Sequence, residues 1–463
     1  PGNWTIKEGK RLETNEMGSL PVGRLLKKMS MPLIISMFVQ VLYGLVDSLY
    51  VAQLGGNALT AISLCMPVQY LVVGVGTGIG VGVNSVLSKK LGEKDGNGVN
   101  KTAGNGFVLL WIVMVLFAVL GLTAMQPFYR IQTDIQEIRD MCISYSIVLC
   151  VCSFAAFHQI MMERLLAAIG RADLTMVPML VGAVVNIILD PVMIFGWFGF
   201  PAMGITGAGI ATVTAQAVVA VAGLLLNLRF NHEVHINGKV FVPDRTVVGE
   251  IIMIGIPVAL SNCLVAVIAL GMNSILMGLS PLAPGIYVIY IRLQSFVIMP
   301  SSGMSSAGIS IIAYNYGAKE KKRIMETLWK SLRVNAVIAA VGILVFLAFP
   351  AQLLAMFNVS GDMMEMGIRA LRFIAAALLL TTTTQILSGF LQAMGQGTAS
   401  FLASISQAVF FLLFAWIFAQ TRSTTLVWLA FPAMEIIRFA IAAVMVRWTY
   451  QGKIVKLQAA QAG

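Results

Sequence analysis

The chain is 463 residues long, and 58% of its residues are hydrophobic while only 11% are charged. A soluble domain of this length cannot bury so much apolar surface, so the composition predicts an integral membrane protein. The formal net charge of +11 does not indicate nucleic-acid binding, because the Lys and Arg residues fall in short loops between apolar segments. No nucleic-acid partner is therefore expected, and the lipid bilayer is the first predicted partner.

Twelve apolar segments, each long enough to cross a bilayer as a helix, follow one another along the chain. They lie at roughly 31–54, 59–88, 103–124, 138–162, 173–196 and 204–228, and then at roughly 249–278, 284–313, 327–349, 367–392, 398–419 and 425–446. The sequence therefore predicts an all-α integral membrane protein with twelve transmembrane helices. Ahead of them, a basic tail mixes Leu25, Leu26 and Met29 with Lys and Arg, which is typical of a helix on a membrane surface; the alternative is a disordered basic tail. It lacks the apolar core of a cleavable signal peptide.

The distribution of Lys and Arg between the segments predicts the topology. Most of them fall on the side of the N-terminus, in alternate loops, and the positive-inside rule makes that side cytoplasmic. We therefore predict a multi-pass protein of the plasma membrane with both termini in the cytoplasm. The predicted organisation is an N-terminal tail with a possible surface helix (1–30), an N-lobe (31–229), a cytoplasmic linker (230–248), a C-lobe (249–447) and a C-terminal tail (448–463).

The two sets of six segments match each other at one constant offset of 225 residues. Because six is even, the two copies enter the membrane in the same orientation. That is the parallel-repeat plan of alternating-access transporters, in which the substrate path runs between the halves. The matched pairs include Pro32 and Pro257, Ser36 and Ser261, Gln69 and Gln294, Gly92 and Gly317, Lys94 and Lys319, and Gly170 and Gly395.

Two acidic residues lie inside apolar segments of the first copy. Asp47 is in the first span and Asp190 is at the matching depth of the fifth; a charge at such a depth costs about 2.5 to 3.5 kcal/mol and is usually retained for function. The alternative is an acid held by structural hydrogen bonds between helices. At the 225 offset, Asp47 is matched by Met272 and Asp190 by Ala415, so only the N-lobe carries the acids. This asymmetry indicates that one lobe binds a coupling ion, and Asn186, one turn before Asp190, could share it.

The chain resembles the multidrug and toxic compound extrusion (MATE) family over residues 25–450. The resemblance rests on DSLYVAQLGGNALTAISL around the end of the first span, NIILDPVMIFG in the fifth span and GITGAGIATVTAQ at the start of the sixth. Within the family it is similar to the bacterial and archaeal branch whose cation site is in the N-lobe. The resemblance implies a fold of two six-helix bundles, and an antiporter that uses H⁺ or Na⁺ to export amphipathic, mostly cationic drugs across the plasma membrane.

The resemblance also implies a set of site residues. The cation-binding and coupling residues would be Asp47, Asn186, Asp190 and Thr212, with the Ala208 carbonyl and Gln40 nearby. No permanent metal and no other cofactor is expected, although Na⁺ could bind at Asp47, Asn186 and Asp190. Apart from the resemblance, the candidates for lining the substrate cavity are Arg292, Tyr43, Met272 and Gln294, although Arg292 could instead reach the membrane surface or pair with an acid.

Other functions agree less well with the sequence. A flippase for lipid-linked oligosaccharide, or a similar lipid-linked precursor, shares this architecture, but its cavity should be ringed with basic residues, and only Arg292 and Arg438 fall within spans. A channel is not favoured, because the repeats carry different polar residues and form no ring. No nucleophile and base combine into an enzyme site. No obligate protein partner is expected, and Glu435 should pair with Arg438 one turn away.

Overall fold

The computed structural model describes residues 16–235, 238–280, 283–357 and 361–456. Over these ranges the chain is built from α-helices and short helical turns, without a β-strand. Residues 1–15 and 457–463 of the predicted tails lie outside the described residues, as does Asn237 in the predicted linker. A nearly all-helical chain is what a bilayer requires, because every backbone polar group must be satisfied within its own segment.

The α-helices of the described ranges are numbered here in chain order. They are α1 (Glu16–Ser19), α2 (Val22–Ala52), α3 (Gly56–Gly92), α4 (Gly96–Thr123), α5 (Met125–Gln132), α6 (Gln136–Val151), α7 (Ser153–Ala168), α8 (Met176–Phe195), α9 (Gly204–Phe230), α10 (Arg245–Met277), α11 (Ala283–Gly317), α12 (Lys321–Ala348), α13 (Pro350–Ala355), α14 (Asp362–Ala393), α15 (Gly397–Ala419), α16 (Thr424–Val427) and α17 (Ala430–Thr449). Eleven of these helices are long and apolar enough to cross a membrane, and α6 with α7 supplies a twelfth span. The predicted twelve-helix architecture is confirmed.

The fourth span is bent, which the sequence did not predict. The expected single segment 138–162 is two helices, α6 and α7, that meet at an angle of 45°. The break falls at Cys152, whose backbone (φ −92°, ψ 16°) leaves the helical range. Bends of this size usually occur at Pro or Gly, and neither is present beside Cys152. The sequence therefore offered no signal for this bend.

The predicted surface helix in the N-terminal tail is wrong for residues 22–30. These residues are the first turns of α2, which continues into the first span, and Leu25, Leu26 and Met29 are buried in the protein. Their apolar face packs on α11 and α12 rather than on lipid. Upstream, Arg323 of α12 donates two hydrogen bonds from Nη2, at 2.8 Å to the carbonyl of Met17 and at 2.9 Å to that of Leu20. The start of the described chain is thus attached to the C-lobe.

Asp244, near the end of the linker, is hydrogen-bonded to α4 of the N-lobe. The backbone amide of Asp244 donates to Asn105 Oδ1 of α4 at 2.8 Å, and Lys101 Nζ donates to Asp244 Oδ2 at 3.0 Å. The same carboxylate accepts hydrogen bonds from the first-turn amides of α10, so Asp244 is the N-cap of that helix. The side-chain hydrogen bond from Lys101 holds the pKa of Asp244 below its ordinary value. The second lobe therefore begins from a residue that is fixed to the first.

The two lobes cross at one end of the bundle. This end, where α2 begins, also carries Lys89 and Lys90 of α3 and the start of α12, and is called the basic end below. A Cβ added to Gly92 would lie only 1.8 Å from the carbonyl oxygen of Tyr314, and one added to Gly317 would lie 1.9 Å from that of Lys89. Gly92 and Gly317 are a matched pair of the repeat, so each lobe makes the same contact with the other. We call this contact the Gly92–Gly317 crossing; it requires glycine on both sides.

Candidate functional site

The predicted N-lobe residues meet between α2, α8 and α9. Asp190 and Asn186 lie one turn apart on α8, and both are almost completely buried. Asn186 Nδ2 donates a hydrogen bond to Asp190 Oδ1 at 3.2 Å. Helix α2 packs against α8 and brings Asp47 close enough to act electrostatically on Asp190. The structure thus brings together the three residues that the sequence singled out, with Asn186 and Asp190 buried and Asp47 half-buried.

Three oxygens of this group have no hydrogen-bond partner among the described residues. They are Asp47 Oδ1, Asn186 Oδ1 and Asp190 Oδ2, and all three are shielded from solvent. A buried polar oxygen without a partner costs about 1 to 3 kcal/mol, and more when it is charged. Such a set of carboxylate and amide oxygens suits a hard cation such as Na⁺, or a proton shared between them. The chemistry of the group therefore fits the predicted coupling ion.

The other predicted residues of the N-lobe site lie around this group at different distances. Thr212 and Ala208 are buried on α9, which packs on α8. A cavity of about 20 Å³ between the helices is lined by Tyr43, Asn186 and Thr212, and this volume is enough for about one water molecule. Gln40 is exposed and lies beside Tyr43 on the neighbouring turn of α2. Tyr43 therefore lines this small cavity beside Asn186 rather than the drug-sized cavity described next.

A much larger cavity, of about 630 Å³, lies mainly among the helices of the C-lobe. Its volume is within the range of sites for drug-sized molecules. The N-lobe closes one side of it with Met37, Thr77, Val81 and Arg164. Most of its polar lining is neutral, consisting of amide and hydroxyl side chains such as Asn262, Gln294, Ser302, Gln385, Gln392 and Gln407. Such walls can receive molecules of varied shape without fixing one pattern of charge.

One of the four predicted cavity residues lines this cavity. Gln294 lines the cavity, whereas Arg292 is exposed on α11. The two differ because residues two apart on a helix point to nearly opposite faces. Met272 is fully buried in the apolar core of the C-lobe. Tyr43 lines the small cavity beside Asn186, so of the four predicted residues the structure brings only Gln294 to the large cavity.

The sequence did not predict that Glu435 and Arg438 would line this cavity. The predicted ion pair is confirmed, since Arg438 Nη1 donates to Glu435 Oε1 at 3.2 Å. Both side chains face the large cavity from α17. Two opposite charges one turn apart inside an apolar span were the available signal, but spacing alone does not say which face of the helix meets a cavity. Together with Arg164, this pair supplies all the charge among the described lining residues.

Twelve membrane-spanning helices, the group of Asp47, Asn186 and Asp190 in the N-lobe and a drug-sized cavity define a membrane transporter built from a parallel repeat. The family model described as MatE matches the chain twice, over residues 32–192 and 257–417. The chain belongs to the MatE family of transporters. The second match follows the first at the 225-residue offset, so the internal repeat predicted from the sequence is also present in the family model.

Individual relatives are similar over most of the chain. The "Multidrug export protein MepA" of Staphylococcus aureus (strain MSSA476) is 26% identical over 391 residues, which cover 84% of this chain and 85% of the relative. A crystal structure of MATE in complex with MaL6 superposes with a TM-score of 0.87 at 25% identity, covering 96% of this chain and 99% of that one. A multidrug resistance MATE family transporter of the MOP superfamily, in an outward-facing conformation, gives a TM-score of 0.87 at 24% identity, covering 96% and 98%.

Proposed function

We propose that this protein is an antiporter of the plasma membrane that couples the entry of H⁺ or Na⁺ to the export of amphipathic, mostly cationic compounds. The observation that carries the proposal is the group of three unpartnered oxygens on Asp47, Asn186 and Asp190. Further support comes from the nearby cavity of about 630 Å³ and from relatives that are named multidrug export proteins. In this proposal the coupling ion is a transported substrate, and no cofactor is required.

The proposed mechanism depends on two separate sites, the group of acids in the N-lobe and the large cavity mainly in the C-lobe. A cation at the N-lobe site neutralises the acids and satisfies the unpartnered oxygens, while the exported compound occupies the large cavity, which lies mainly among the C-lobe helices. Antiport requires that the ion and the compound favour opposite states of the protein, so that each one drives the other off. Helix α2 links the two sites, since Asp47 faces the ion site while Met37 lines the cavity.

The cavity lining favours this function over flipping of a lipid-linked oligosaccharide. A carrier for an anionic, phosphate-bearing lipid needs several basic side chains in its cavity. Among the described residues that line this cavity, only Arg164 and Arg438 are basic, and the adjacent Glu435 carboxylate offsets the charge of Arg438. The many neutral polar and aromatic side chains suit amphipathic drugs instead.

Transport in reconstituted vesicles tests the proposal directly. Vesicles that contain the protein should move the fluorescent cation ethidium when a pH gradient or a Na⁺ gradient is imposed, in the direction opposite to the flow of the driving ion. Vesicles without protein, and protein-containing vesicles without any gradient, are the controls. If neither gradient drives ethidium movement above these controls, the proposed antiport is wrong.

The proposed topology has its own test, in which cysteines are labelled on both sides of the membrane. In a variant without the five native cysteines, His235→Cys should be protected from an impermeant maleimide in intact cells and should react after permeabilisation. Asp134→Cys, which follows α5 at the opposite end of the bundle, should react in intact cells; both positions are exposed. The opposite pattern of labelling would place the linker and both termini outside.

A further inference from the structure

Both charges of the pair on α17 are buried inside the C-lobe. Glu435 is 2% exposed, and the Arg438 side chain is 12% exposed. The hydrogen bond between them uses only Glu435 Oε1 and Arg438 Nη1, and the Thr381 hydroxyl of α14, which donates to the Ala377 carbonyl, lies close to the Glu435 carboxylate. Taking two charges out of water is costly, and one charged contact of 3.2 Å beside a hydroxyl offsets only part of that cost. The pair is therefore incompletely satisfied by the protein itself.

The unsatisfied atoms of this pair carry opposite charges. Glu435 Oε2 and Arg438 Nε are buried, and neither has a hydrogen-bond partner in the part of the chain that the structure describes. The carboxylate oxygen can accept only from a donor or a cation, and the guanidinium nitrogen can donate only to an acceptor. A lone cation near the pair gains from Glu435 but is repelled by Arg438. A molecule with one charge of each sign can satisfy both groups.

Aromatic rings lie next to the pair. Phe431, one turn before Glu435, contacts Phe411 edge-on with ring centroids 4.6 Å apart and Tyr290 edge-on at 5.0 Å. These three rings line the cavity together with the ion pair. The faces and edges of such rings favour a flat aromatic body. The rings are almost completely buried, so a ligand held here would place its aromatic part against the edge of this cluster and its charged groups toward the ion pair of α17.

We infer that the C-lobe part of the cavity is a binding site for aromatic zwitterions, in which Glu435 binds the cationic group and Arg438 binds a carboxylate. The inference rests on the proposed function and extends it, because a monocation needs only an acid whereas this pair favours substrates that carry both charges. Arg164, the third charged residue of the lining, lies on α7 toward the basic end, away from the rings at the start of α17. The selection for charge thus depends on the Glu435–Arg438 pair.

Two dyes that differ in a single charge test this inference. Rhodamine 110 carries a free carboxylate and is zwitterionic, whereas rhodamine 123 is its methyl ester and is a monocation. Their dissociation constants for the purified protein, measured by fluorescence anisotropy, give a selectivity ratio. Arg438→Gln removes the partner of the carboxylate and should shift this ratio about tenfold toward the monocation, the size expected for one charged hydrogen bond. Arg438→Lys keeps the charge and should retain most of the wild-type ratio.

The control variant is Arg292→Gln, which removes an exposed arginine outside the cavity and should leave the ratio unchanged. An equal loss of binding for both dyes in Arg438→Gln would show a purely structural pair, and an unchanged ratio would show that Arg438 does not bind the carboxylate. Either outcome overturns the inference. Equilibrium binding needs no gradient, so a failure of coupled transport in vesicles would refute the proposed function without changing this ratio.

Discussion

Replacing Asp190 with Asn is expected to abolish gradient-driven export while leaving the folded protein in the membrane. Asn has the same shape and keeps an oxygen that can accept the hydrogen bond of Asn186, so the packing of α8 should persist. It cannot take up a proton or neutralise a bound cation. Loss of a buried charged contact worth about 3 kcal/mol corresponds to a weakening of about a hundredfold in ion binding.

The measurement is ethidium transport in vesicles at matched amounts of folded protein. Asp47→Asn should give the same loss, because its Oδ1 is one of the three unpartnered oxygens. Asp134→Asn is the matched control: it removes an exposed acid from a loop and should transport normally. Normal export by both Asp47→Asn and Asp190→Asn would return these acids to a structural role.

The second large effect is expected at the Gly92–Gly317 crossing. Gly92→Ala would place a methyl group 1.8 Å from the carbonyl oxygen of Tyr314, so the two lobes cannot remain closed at the basic end. Overpacking of this kind costs about 1 to 3 kcal/mol or more, and here separation of the lobes relieves it. A cost of about 3 kcal/mol would shift the balance between closed and open basic ends by more than about a hundredfold. Gly317→Ala should act in the same way.

The distance between spin labels at positions 93 and 320, which are exposed on opposite sides of the crossing, reports this opening. Both glycine variants should lengthen the distance and lower the rate of transport, since the protein would seldom return to the closed arrangement. Gly96→Ala and Gly249→Ala are the controls, because a Cβ at either position meets no atom within 4 Å. An unchanged label distance in Gly92→Ala would mean that the crossing yields without separating the lobes.

Hydropathy and self-comparison were enough to predict the twelve spans and the repeat, because the bilayer fixes the length of each span. The pairing of Asn186 with Asp190 was also predictable, since helical spacing places residues one turn apart on one face. The bend at Cys152 had no Pro or Gly to reveal it. The burial of Leu25 and Met29 was missed because an apolar stripe beside basic residues fits a protein surface as well as a membrane surface.

The position of the large cavity could not be predicted for a related reason. In a membrane protein both the lipid-facing and the interior residues of a helix are apolar, so periodicity does not identify the inner face. Arg292 and Gln294 illustrate the ambiguity: they are two residues apart, and only Gln294 lines the cavity. Glu435 was recognisable as a paired acid, but its place beside Tyr290 and Phe411 depends on how α11, α15 and α17 pack.

The confinement of Asp47 and Asp190 to one lobe has an electrical consequence. Two carboxylates can neutralise at most two monovalent ions, which limits the stoichiometry of each cycle at this site. When one monovalent ion enters for each monovalent cationic drug that leaves, no net charge crosses the membrane. When two such ions enter for one drug, one positive charge moves inward, and the membrane potential adds about 2.3 kcal/mol of driving force per 100 mV. A zwitterionic drug carries no net charge outward, so its export would move one more positive charge inward in either case. If the proposed antiport is right, the voltage dependence of export therefore counts the ions that the two acids bind.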